Sequence, residues 1–107
     1  MTDLAGLLTR RLGAFLVVGR SKPIVVHELL GRLASAQQDD VERCAGFAAA
    51  LTAYENQRWR DAEERFRAII GAHGDDGPSR FYLTYCTRYR DAPADMTWDP
   101  VIRVEVK

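Results

Sequence analysis

Long apolar runs are missing from this sequence, and none approaches the roughly 20 consecutive apolar residues that a membrane-spanning helix requires. No signal peptide is expected either, because the apolar stretch after Arg10-Arg11 runs into Gly19-Arg20-Ser21-Lys22-Pro23 and not into a small-residue cleavage site. A cytoplasmic location is the resulting expectation. Excess charge of either sign is also lacking, because 15 Lys and Arg balance 15 Asp and Glu. Residues 1–32 carry five basic against two acidic residues, an asymmetry too mild for a nucleic-acid surface, which shows a clustered basic patch and a high pI. No nucleic-acid partner is expected.

Residues that carry chemistry are scarce. His27 and His73 are the only two imidazoles and lie far apart in the chain, so no metal site is expected. Cys44 and Cys86 are the only two thiols. Without a framework of spacings, they read as reduced, structural cysteines. A nucleophile and base built from Cys86 and His73 would lack a third orienting group and an oxyanion loop. Asp39-Asp40 and Asp75-Asp76 stand where helices are expected to start, and capping accounts for them.

One stretch, Gly19-Arg20-Ser21-Lys22, hints at a phosphate loop. Such a loop needs four residues between its glycines and then a lysine. Five residues separate Gly13 from Gly19, and Arg20 stands in the lysine position. Pro23 removes an amide donor, and no helix start follows to hold phosphate. The stretch therefore reads as a hairpin loop of four or five residues, with Gly19 supplying an unusual dihedral. No catalytic, cofactor-binding or metal-binding residue is assigned in this chain.

What is present falls into two periods within a length suited to one small domain. Leu12, Phe15, Leu16, Val17 and Val18 precede the loop, and Ile24, Val25, Val26, Leu29 and Leu30 follow it, which predicts two strands. The first strand is apolar at successive positions, as strands covered on both faces are. Beyond Gly31, Cys44, Phe47, Leu51 and Tyr54 recur at steps of three and four, as do Trp59, Ala62, Phe66 and Ile69. Two antiparallel helices joined by almost no loop follow from this. A third helix opens at Asp76-Gly77-Pro78 and carries an aromatic face of Phe81, Tyr82, Tyr85 and Tyr89. Val101–Lys107 alternates apolar and charged residues as a half-exposed strand does.

The expected architecture is thus α+β: an N-terminal antiparallel β-hairpin over 1–32, then over 33–107 three helices and a short C-terminal strand. The residues expected to carry packing or an interface are Phe47, Leu51, Tyr54, Trp59, Ala62, Phe66, Tyr82, Tyr85 and Tyr89. Unpaired strand edges recruit further strands. The hairpin is therefore expected either to form a homodimer through its edges or to take residues 101–106 as a third strand.

Two resemblances complete the reading. Residues 46–78 resemble a single tetratricopeptide repeat, with Trp59, Ala62 and Phe66 at that repeat's aromatic, small and aromatic positions and Gln57 where a glycine is usual. Over about 11–99 the chain resembles the C-terminal end of bacterial class III adenylate/guanylate cyclases. The matching pieces are Arg11-Leu12-Gly13, Gly19-Arg20-Ser21 with Pro23, Glu28-Leu29-Leu30-Gly31, Tyr54, Trp59, Ala62, Phe66 and Asp76-Gly77-Pro78-Ser79. Val18 and His27 depart from that pattern. The resemblance implies a parent enzyme that converts a nucleoside triphosphate to a cyclic nucleotide and diphosphate with Mg or Mn. Its metal-binding and purine-selecting residues all precede the matched segment, so this chain is expected to be noncatalytic and to pack against the cyclase domain or another protein. A free-standing tetratricopeptide-like interaction module is the alternative.

Overall fold

Gly19, with φ of 92°, and Pro23 turn the chain between two runs of strand-forming residues. In the computed structural model, which describes residues 6–93 and 95–104, those runs are β1 (Leu7–Val17) and β2 (Ile24–Arg32). They pair antiparallel across a loop of residues 18–23. The loop is longer than the four or five residues expected, because the ladder closes at Phe15 and Ile24. A 3-10 turn at Leu33–Ser35 leads into three helices, α1 (Gln38–Glu55), α2 (Trp59–His73) and α3 (Gly77–Tyr89). The chain then returns as β3 (Ile102–Val104), parallel to β1 opposite Phe15–Val17. The sheet order is β2-β1-β3. The α+β architecture expected from the sequence is the one observed, and of the two outcomes foreseen for the strand edges, the third strand is present. Residues 105–107 of the predicted strand lie outside the described residues.

The helices form because their apolar residues repeat with the helical period and can be buried on one side. Phe47, Ala50, Leu51 and Tyr54 of α1 are buried, as are Trp59, Ala62, Phe66 and Ile69 of α2 and Tyr82 and Cys86 of α3. Phe47 meets Phe66 and Tyr54 meets Trp59, so α1 and α2 run antiparallel. Phe66 stacks on Tyr82 while Trp59 meets Tyr89, so α3 is antiparallel to α2. Ala62 is fully buried, and its small side chain lets the helix backbones approach. Each large apolar side chain buried here contributes about 1.5–3 kcal/mol. The turn between α1 and α2 contains Gln57 with φ of 60°, a left-handed conformation that glycine adopts most readily. The Gln57 amide offsets that strain by clasping Asp95: its Nε2 donates to the Asp95 carbonyl at 2.7 Å and its Oε1 accepts from the Asp95 amide at 2.7 Å.

The hairpin is irregular at two places. Leu12 on β1 and Leu30 on β2 have no partner in the ladder, and each precedes a glycine of positive φ, Gly13 at 127° and Gly31 at 126°. Both are β-bulges, and each bends its strand. The bulge on β1 also turns the Leu12 carbonyl to accept a 2.7 Å hydrogen bond from the Tyr82 hydroxyl on α3. No side chain fits at residue 13, since a Cβ there would lie 2.0 Å from the Tyr82 hydroxyl oxygen. Packing therefore covers the helix side of β1, through Leu12 and Phe15. Cover on the other face is incomplete: Val25 and Leu29 of β2 are exposed, although Arg11 of β1 reaches Glu55 of α1 at 2.7 and 2.9 Å.

Gly13→Ala combines this clash with a strained backbone, so it should lower the unfolding free energy by at least about 1–3 kcal/mol. Chemical denaturation followed by tryptophan fluorescence checks this, and an unchanged midpoint would contradict it.

Candidate functional site

Alternation along β1 points Arg10 at the helices, where the residue is only 3% exposed. A buried charge needs partners. Nη1 donates to both oxygens of Asp76, at 3.0 and 2.8 Å, while Nε and Nη2 donate to Glu28 Oε1 at 3.1 and 2.6 Å. Glu28 is the residue opposite Arg10 on β2, and Asp76 is the N-cap of α3. As a cap, Asp76 accepts from the Ser79 amide at 3.3 Å and from the Ser79 hydroxyl at 2.5 Å. Arg43 of α1 adds a second guanidinium 3.6 Å from Asp76, and the Arg10 guanidinium also stacks 4.8 Å from the centre of the Phe47 ring. One arginine thus ties together both strands, α1 and the start of α3.

The electrostatics of this cluster are those of a structural tie. Burial alone would push the Asp76 carboxyl up, but the hydrogen bonds from Arg10 and Ser79 and the Arg10 charge outweigh it. They hold the group below its usual 3.8. Burial would likewise lower the Arg10 pKa, and its bonds to Asp76 and Glu28 raise it above the ordinary arginine value. Arg10 and Asp76 both stay charged near neutral pH, as the two halves of a structural ion pair do.

The sequence-predicted residues form a second cluster, and the structure brings them together. Tyr54 lies within 5.0 to 6.5 Å, centre to centre, of Trp59, Tyr82, Tyr85 and Trp98. Phe47, Leu51, Tyr54, Trp59, Ala62, Phe66 and Tyr82 are buried in the chain's own core, whereas Tyr85 and Tyr89 are half-buried. Edge-to-face pairing of this kind adds about 0.5–1.5 kcal/mol per pair beyond area burial. Burial pushes the Tyr54 and Tyr82 hydroxyls well above their usual 10 and the Cys86 thiol up to about 12, which keeps it a thiol and a poor nucleophile. Burial raises the Cys44 thiol as well, and both cysteines are free. His73 lies beside Asp39 at 2.6 Å and far from Cys86 in the fold's layout, at the opposite end of α2 from Trp59.

Sequence reasoning missed the Arg10 cluster and Trp98. Asp76 did carry a signal, an acid at a helix start with serine three positions on, and its capping role is present. Asp39 and Asp40 sit within the first turn of α1 and do not cap it; the N-cap is Gln37, which makes no side-chain cap bond. Arg20 and Lys22 stay exposed, and the loop that carries them leads into a strand, so no helix start completes a phosphate site. Comparison with protein-family models, with curated proteins and with solved structures finds no match to this chain.

Because Asp76 titrates lower folded than unfolded, its contribution is complete above about pH 4 and is lost as pH falls through the folded value. Unfolding free energy measured from pH 7 down to pH 2 should therefore be level at first and decline below about pH 4. Asp76→Asn should start about 3–5 kcal/mol lower with a shallower acid decline, and an equally steep decline would assign the effect elsewhere.

Proposed function

We propose that this chain is the noncatalytic C-terminal segment of a class III adenylate/guanylate cyclase, acting in packing and assembly. Its helical unit serves as a brace for the last strands of the catalytic sheet. The observation that carries this reading is the one-sided cover of the hairpin. Helices pack against β1 through Leu12 and Phe15, while Val25 and Leu29 of β2, on the opposite face, remain exposed. A strand pair with apolar residues on both sides fits a layered domain whose second layer comes from elsewhere. In the parent, that layer is the rest of the catalytic domain, which also supplies the Mg or Mn site and the purine pocket.

Class III sites form between two cyclase domains, so a brace on the last strands influences activity through domain pairing. No helix among the described residues is long and apolar enough to cross a membrane, and the cyclase reading locates the segment in the cytoplasm. The alternative, a free-standing tetratricopeptide-like module that grips a partner helix, has less support. Trp59, Phe66 and Tyr82 are spent in the chain's own core, and Trp98 lies against Tyr54 and Trp59.

Removing residues 33–107 from the parent enzyme should lower both cyclic-nucleotide production and dimerisation, while the chain alone with Mg and nucleoside triphosphate makes no product. Unchanged rate and dimerisation in the truncated parent would overturn the reading.

A further inference from the structure

The longer of the sheet's two edge strands is β2, and its far edge meets no described segment. Edge strands of soluble proteins carry proline, lysine or a bulge to prevent open-ended pairing. Between Ile24 and Leu29 there is no proline and no lysine, and the bulge comes later, at Leu30-Gly31. Ile24, Val25 and Leu29 are 56%, 56% and 62% exposed. Val25, His27 and Leu29 pair with Ala14, Arg11 and Thr9, and alternation puts them on the face opposite Glu28, where Arg11 is held by Glu55 of α1.

We propose that β2 pairs antiparallel with β2 of a second copy of this chain, about a twofold axis at His27. An antiparallel ladder closed by a twofold must be centred on a residue facing itself. Centring it on Glu28 would set two carboxylates opposite each other, and centring it on Leu30 would place the axis on the bulge. Centring it on His27 sets Val25 against Leu29 of the partner subunit, twice, so the exposed apolar side chains cover one another. It also sets Val26 against Glu28 of the partner subunit, whose charge Arg10 already holds. The ladder Val25–Leu29 is about 17 Å long at about 3.4 Å per residue. That is a strip too narrow for the roughly 1,200 Å² of a stable interface, so the dimer is weak and reversible. Lys22 and Arg32 of opposite copies approach beyond its ends, so added salt strengthens it.

The inference does not rest on the cyclase reading and is tested on the full chain alone by sedimentation velocity from low micromolar to near-millimolar concentration. The unaltered chain should shift from monomer toward dimer as concentration and salt rise. Val25→Lys with Leu29→Lys sets like charges opposite each other and should weaken association at least tenfold. Val25→Glu with Leu29→Lys sets opposite charges face to face and should restore it. Circular dichroism melts verify that both variants remain folded, as expected for exposed positions. A chain monomeric throughout, or two variants that associate equally, would overturn the proposal.

Discussion

A single buried guanidinium, that of Arg10, is the constraint on which the arrangement of strands and helices depends. A charge so enclosed is tolerated only with carboxylates placed on it, and its two partners come from places remote in sequence. Glu28 arrives through the register of the hairpin, and Asp76 arrives through the start of α3. The register is itself set by the bulges at Leu12 and Leu30, and the position of α3 by its packing on α2. Moving either element would strand the charge, so the cluster selects one docking of hairpin on helices.

The second tie works beside the first. Tyr82 fills the space that glycine leaves at residue 13 and donates its hydroxyl to Leu12, while its ring packs on Phe47, Tyr54 and Phe66. One side chain thereby belongs to the sheet and to the helical core. The C-terminal segment is held in the same manner. Trp98 enters the aromatic cluster, the Gln57 amide clasps Asp95, and β3 is delivered to the edge of β1. Among the described residues, the far edge of β2 meets no strand, and Val25 and Leu29 on it stay exposed. That asymmetry gives the molecule a closed side that stabilises and an open side that can be shared.

The architecture was legible in the sequence because period and punctuation carry it. Steps of three and four announced α1 and α2, Asp76-Gly77-Pro78 announced α3, and apolar runs around Gly19 and Pro23 announced the hairpin. Most of the aromatic residues singled out from their spacing lie in one core. The Arg10 cluster was not legible, because a strand arginine looks like any solvated one until the fold brings residue 76 to it. The one-sided cover of β1 was hidden for a related reason: an apolar face reads the same whether its cover is in this chain or another. Trp98 fell after Pro93, where periodicity gives no guidance, and Gln57 concealed a positive-φ turn normally flagged by glycine.

Hairpin and helices on this account are one cooperative body, and its open sheet is a prepared surface that the helices hold in shape. Native-state hydrogen exchange at increasing denaturant measures this most directly. Amides of β1 from Arg10 to Phe15 and those of α3 from Tyr82 to Cys86 should open with one common free energy, equal to that of global unfolding. Exchange of the β1 amides at distinctly lower free energy, with the helices still protected, would contradict it.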